Sequence, residues 1–119
     1  MARGEYDLEE RTYNFAKAVR KFAKRLPKTA CNENDVRQLA RSSGSVGANY
    51  IEANEALSKK DRICRMKISR KECKETRFWL GLVDTGDNAE LESTRIALLD
   101  ECQQLRAILS TILNKLQGQ

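Results

Sequence analysis

The sequence predicts an all-α protein, an antiparallel up-down-up-down bundle of four helices. Four segments carry apolar residues at alternating spacings of three and four, the period of a half-buried helix. One proline and six glycines leave little room for long irregular loops. No segment alternates apolar and polar residues with a period of two. At 119 residues, one domain spanning 1–119 is expected, long enough to bury a real core. The helices are expected near 7–26, 35–54, 58–83 and 88–116.

The first helix is expected to be capped by Asp7, with Glu9 and Glu10 in its first turn, where carboxylates complement the helix dipole. Leu8, Thr12, Phe15, Val19, Phe22 and Leu26 fall on one face. Pro27 stops the helix at Leu26, because the residue before a proline is pushed out of the helical region. Lys17, Arg20, Lys21, Lys24 and Lys28 cluster on the other side. With Arg25 they make six bases and no acid between 17 and 28. This is either a solvated face at the end of the helix that favours cations, or a ligand-binding face.

In the second helix Asn34 or Asp35 is the expected cap, followed by Val36, Leu39 and Ala40. Small residues then crowd together from Ser42 to Ala48, including Gly44 and Gly47. Glycine inside a helix costs about 1 kcal/mol relative to alanine, so close approach of another helix is expected there. Arg41, Ser45, Asn49 and Glu52 share a flank at spacings of 4, 4 and 3. They read as a buried polar network that fixes helix register more readily than as a functional site. A buried polar group without a partner costs roughly 2 kcal/mol or more, so partners on another helix are expected.

Ser58 caps the third helix with Asp61 at the capping-box position. Lys59, Lys60 and Arg62 put cations at a dipole end that disfavours them, beside free backbone amides that attract anions. Lys60, Lys67, Lys71 and Lys74 form a stripe flanked by Arg70 and Arg77. Nine bases and three acids lie between 59 and 77. This block and 17–28 each carry +6, so with a net charge of +5 the remaining residues sum to −7. Segregation of that kind makes an oriented field, which the modest net charge alone does not. Met66, Ser69, Cys73, Thr76 and Leu80 form the core face. A second apolar face carries Cys64, Ile68, Phe78 and Leu82, and burial on two sides implies another subunit. Ile68, Phe78 and Leu82 are the candidates for that interface.

Gly86 is the expected C-cap of the third helix, and Asp87 or Asn88 the N-cap of the fourth. Leu91, Arg95, Leu98, Cys102, Leu105, Leu109, Ile112 and Leu116 run along the fourth at spacings of four and three. Leu99, Ile108 and Leu113 widen the stripe beyond a coiled-coil seam, as in bundle helices. Six acids against three bases from 84 to 119 make this helix a poor anion partner.

Catalytic motifs are missing. There is no histidine, no phosphate-binding glycine loop and no nucleophile–base set, so no enzyme and no cofactor are expected. Cys31, Cys64, Cys73 and Cys102 form no C-x-x-C pair, and free thiols in a reducing compartment are expected in place of a metal site. The first residues contain no apolar signal region and no run reaches membrane-spanning length, which places the chain in the cytoplasm.

Tyr6-Asp7-Leu8, Leu26-Pro27, RSSGSVGANYIEANE in the second helix and KISRKECKETRFWL in the third together resemble the four helix bundle protein family. That family was first described from bacterial proteins encoded within intervening sequences of 23S ribosomal RNA genes, so its name records gene location. Many relatives have a glycine where this chain has Ala53. The resemblance implies a small bundle that assembles into a homopentamer. It extends in fold to the accessory variability determinant proteins of retroelements, which work with a reverse transcriptase and nucleic acid. Arg41, Asn49, Glu52 and Glu75 match positions of the family pattern and read as packing and register residues; no catalytic residue carries over.

The expected function is therefore a non-enzymatic, basic, ring-like oligomer that binds the backbone of structured RNA or DNA. Lys17, Arg20, Lys21, Lys24, Lys60, Lys67, Arg70, Lys71, Lys74 and Arg77 are the candidate contacts. The alternative is a protein–protein adaptor, such as an accessory subunit for a polymerase or reverse transcriptase. A membrane-surface role is disfavoured because no apolar Trp/Leu face adjoins the basic stripes. There is little sign of an exposed aromatic platform, which argues against sequence-specific single-strand binding.

Overall fold

A computed structural model describes residues 3–118, with side chains from Leu8 onward. Four helices make up the fold: α1 (Arg3–Arg25), α2 (Ala30–Asn54), α3 (Lys59–Leu82) and α4 (Ala89–Leu116). Among the described residues there is no strand. Each helix packs on its neighbour in sequence, and α1 also packs on α4. Among the described residues the backbones of the diagonal pairs, α1 with α3 and α2 with α4, do not approach within 8 Å between Cα atoms. The molecule measures 46 × 24 × 21 Å, and its long axis matches the roughly 42 Å expected of a 28-residue helix.

The core follows the sequence periodicity closely. Leu8, Thr12, Phe15, Val19, Phe22 and Leu26 are all buried, as are Met66, Ser69, Cys73, Thr76 and Leu80 of α3. From α4 the buried set is Leu91, Leu98, Cys102, Leu105, Leu109 and Leu113. Leu99, Ile108, Ile112 and Leu116 pack against its edge. Val46 and Tyr50 of α2 complete the centre.

Three boundaries differ from the sequence reading. Helix α1 already includes Asp7, whose side chain lies outside the described residues. Helix α2 begins at Ala30, several residues before Asn34 and Asp35. Thr29 has extended backbone and its side chain accepts from the Asn32 amide, which satisfies one orphan donor of the first turn. Asn32 then holds the end of the bundle together. Its side-chain amide donates to the Pro27 carbonyl (3.0 Å) and the Asp84 carbonyl (2.9 Å), and its Oδ1 accepts from the Asp84 amide (2.9 Å). Those bonds tie the α1–α2 loop to the α3–α4 loop, a partnership invisible to any local rule. The third difference is at the end of α3. Val83 occupies the cap, and Gly86 lies beyond it in the turn with φ +66°. A Cβ at Gly86 would stand 2.8 Å from Pro27 Cγ, so both its conformation and its crowding require glycine.

The last carbonyls of α3 are held by Arg95, which donates to Val83 (2.7 Å), Gly81 (3.2 Å) and, at longer range, Leu80. Arg95 also pairs with Glu92. Arg95 and the Thr85 hydroxyl hold the Glu92 carboxyl below its ordinary value. Ser58 and Asn88 cap α3 and α4 through the amides of Asp61 and Leu91.

Cys73 and Cys102 meet in the interior between α3 and α4. The Cys102 thiol donates to the Cys73 carbonyl at 3.1 Å. The hydrogen bond with Cys102, and then burial, push the Cys73 thiol up, so it stays protonated at neutral pH. Cys31 and Cys64 are exposed. A thiol reagent is accordingly expected to modify Cys31 and Cys64 quickly in the native protein. Cys73 and Cys102 should react only as fast as the fold opens, with all four reacting in denaturant. Counting adducts by mass against time checks this.

Candidate nucleic-acid interface

The α1 stripe is built by one helical face opposite the core. Lys17, Arg20, Lys21 and Lys24 are all exposed, and they share that face with Tyr13. Among the described residues none of the three lysines is in an ion pair. They border a shallow hollow of about 440 Å³ with Asn14 and Ala18. Arg20 is fixed. Its guanidinium donates to the carbonyls of Ala16 and Ala40, both at 3.2 Å, and so bridges α1 to α2.

The α3 stripe is likewise solvent-facing. Lys60, Lys67, Lys71, Lys74 and Arg77 are exposed, while Arg70 is half-buried and reaches Ser110 of α4 at 3.5 Å. Among the described residues, the acids that form ion pairs do so with arginines. Glu101 pairs with Arg11, Glu90 with Arg25, Glu33 with Arg37, and Glu72 and Glu75 with Arg41. The lysines of both stripes are left free of ion pairs among the described residues, which is the condition for them to neutralise an external anion.

The two stripes do not meet within one chain. Helices α1 and α3 sit across the diagonal of the bundle, so each stripe forms its own surface. The sequence shows that both blocks are basic, but the relation between them depends on helix order.

The flank from Arg41 to Glu52 is partly ordered by α3. Arg41 contacts Glu72 (3.3 Å) and Glu75 (2.8 Å), and its hydrogen bond with Glu72 is the main cause that raises the guanidinium above its ordinary value. Asn49 donates its side-chain amide to the Ser45 carbonyl (2.9 Å), a bond within α2. Glu52 is exposed. The polar contacts that cross the buried α2–α3 seam lie one position inward. Ser69 donates to the Val46 carbonyl at 2.7 Å. The Thr76 hydroxyl donates to the Glu72 carbonyl at 2.7 Å and makes a 2.9 Å hydroxyl–hydroxyl hydrogen bond with Ser42. Ser42 stands at core spacing with Leu39 and Val46, and that spacing was the signal available in the sequence.

Ile68 is half-buried, whereas Phe78 and Leu82 are 60 % and 53 % exposed. Phe78 stands edge-on to Trp79, with ring centroids 5.0 Å apart. Tyr13 is 64 % exposed, with the Lys17 ammonium 5.4 Å from its ring centre. Both basic helices therefore display an exposed aromatic ring, contrary to the sequence expectation that such a platform is scarcely present. Sequence reasoning missed Tyr13 because nothing in its local pattern separates an exposed ring from one that folds back on its own helix.

Among the described residues, no group of three or more Cys, Asp or Glu side chains is placed to hold a metal ion. Among the described residues no helix is long and apolar enough to cross a membrane.

The model of the 23S rRNA-intervening sequence protein family matches residues 5–111. The chain belongs to this family. The match runs from the first turn of α1 into α4 and takes in both lysine stripes. The chain is also similar to a solved structure from Bacteroides thetaiotaomicron, a protein of unknown function from the S23 ribosomal protein family. That likeness has 26 % identity and a TM-score of 0.77, and covers 92 % of this chain and 97 % of the other. No match was found among curated proteins.

Proposed function

We propose that this family member is a non-enzymatic, cytoplasmic nucleic-acid-binding protein. In this reading it is an antiparallel up-down-up-down bundle that assembles into a ring-like homo-oligomer, a homopentamer as the family resemblance implies, and grips the phosphate backbone of structured RNA or DNA. Helix direction is supported by contacts whose numbering runs in opposite senses: Arg11 with Glu101 and Arg25 with Glu90, or Val46 with Ser69 and Ser42 with Thr76. Assembly is supported by the exposed Phe78 and Leu82 beside half-buried Ile68.

The observation that carries the binding reading is the state of the lysines. Seven of them on two helices are exposed and free of ion pairs among the described residues, where the ion pairs that do form are made by arginines. Lysine presents a compact point charge without a rigid planar fork, which suits backbone neutralisation. Repetition around a ring would multiply the contacts and raise avidity.

The test is a titration of labelled structured RNA and of duplex DNA at several salt concentrations. Micromolar or tighter binding that weakens steeply with salt is expected, and absence of binding at low salt would overturn the proposal. The exposed Phe78 and Leu82 favour a second reading, a protein adaptor. That reading gains if nucleic acid fails to bind and a protein partner is retained after nuclease treatment.

A further inference from the structure

We infer that the α1 face is a site for an unpaired nucleic-acid strand, in which Tyr13 stacks a base and Lys17, Lys21 and Lys24 take the phosphates that follow. The inference rests on the nucleic-acid reading above and narrows it to a ligand class and a place.

Four features of the face converge. Tyr13, Lys17, Lys21 and Lys24 follow one another along one side of α1, with an axial step of about 6 Å for every four residues. A strand laid along the helix thus meets a ring first and then three cations in succession. The ring is 64 % exposed, an unusual position for a large side chain that the core does not use. The Lys17 ammonium lies over one face of the ring, 5.4 Å from its centre, so the first cation is in place and a base would take the opposite face.

The third feature is the groove beside the ring, of about 450 Å³, between α1 and α2. Its floor is made of small residues, Ala16, Gly44, Gly47 and Ala48, and Ile51, 46 % exposed, stands in its wall with Tyr13. An apolar slot beside an aromatic ring suits the faces of a base. The fourth feature is charge. Glu9 sits at one end of this groove, while Lys17 and the fixed Arg20 hold the other. Phosphates are therefore favoured at the Lys17–Lys24 end of the face and disfavoured beside Glu9.

A duplex does not fit these features. Its bases are stacked on each other and offer no face to a tyrosine, whereas unpaired strands are bound by stacking on exposed aromatic rings. A duplex can meet the α1 lysines, as it can the α3 stripe, through phosphate contacts alone.

The experiment measures binding of a labelled, unstructured mixed-sequence RNA and of the corresponding RNA duplex, at low salt, to the full chain. Tyr13→Ala is expected to weaken binding of the single strand on the order of tenfold. Tyr13→Phe should keep it within about twofold, because the phenyl face stacks as the phenol does. Duplex affinity should be unchanged in both variants. Light scattering of each variant is read alongside. If Tyr13→Ala binds the single strand as wild type does, the inference fails while the broader reading survives. If it lowers single-strand and duplex binding alike and changes the molecular mass, Tyr13 belongs to a contact between copies of the chain and the inference also fails. If wild type binds neither nucleic acid, both fall.

Discussion

Replacing Gly47 with leucine is expected to cost about 3 kcal/mol or more, enough to unfold much of a protein of ordinary stability. Two effects compete at this position. Leaving glycine improves helix propensity by about 0.8 kcal/mol. Against that, a Cβ at Gly47 would stand 2.8 Å from Thr12 Oγ1 and 3.2 Å from Thr12 Cβ, and Thr12 is buried on the α1–α2 seam. Neither backbone can retreat without opening the core behind it, so overpacking outweighs propensity. The clash also predicts a coupling. Gly47→Ala should destabilise less than leucine, and Thr12→Ala should recover part of that loss because it removes the nearest atom. Gly81→Ala is the control. Nothing lies within 4 Å of its Cβ and the residue is exposed in α3, so that change should stabilise by up to about 1 kcal/mol. Urea unfolding of the four variants and the double mutant measures all of these.

The second large effect is on binding. Lys17, Lys21 and Lys24 form one free group of charges, and Lys67, Lys71 and Lys74 another, across the diagonal of the bundle. Changing either triplet to glutamine should lower the slope of log affinity against log salt by about 2.7 for duplex nucleic acid, if each lysine neutralises one phosphate. The loss should be uniform across sequences, since phosphate contacts carry no base information. It should leave stability within about 0.5 kcal/mol, because none of the six is in the core or in an ion pair among the described residues. The faces are far enough apart that the two losses should add. Arg20 belongs in neither triplet: it binds the Ala16 and Ala40 carbonyls, so its removal would mix a structural loss with an electrostatic one.

Much of the fold was legible in the sequence because burial in a helical bundle follows a short-range period. Leu8 through Leu26 and Met66 through Leu80 sit where spacing alone puts them. The small residues around Gly47 likewise announced a close approach, though not that Thr12 is what approaches. What escaped depended on partners distant in sequence. Thr29 begins α2 ahead of Asn34 and Asp35, and Asn32 in its first turn binds Asp84, 52 residues away. The buried polar seam follows Ser42, Ser69 and Thr76, while Arg41 on the neighbouring flank finds buried Glu72 and half-buried Glu75 of α3. The basic blocks were plain from the residues. Their separation across the diagonal was not, since charge counting carries no information about which helices touch. The exposure of Tyr13 was hidden for the same reason: a tyrosine near the core stripe reads the same whether its ring turns inward or outward.

The central claim is that free lysines on α1 and α3 bind phosphates, and the most direct measurement is duplex RNA affinity against salt for wild type and for a variant with all six lysines changed to glutamine. The wild type should lose about 10³ in affinity between roughly 50 and 200 mM salt, and the variant slope should fall by about 5. Equal slopes and equal affinities for the two proteins would contradict the claim.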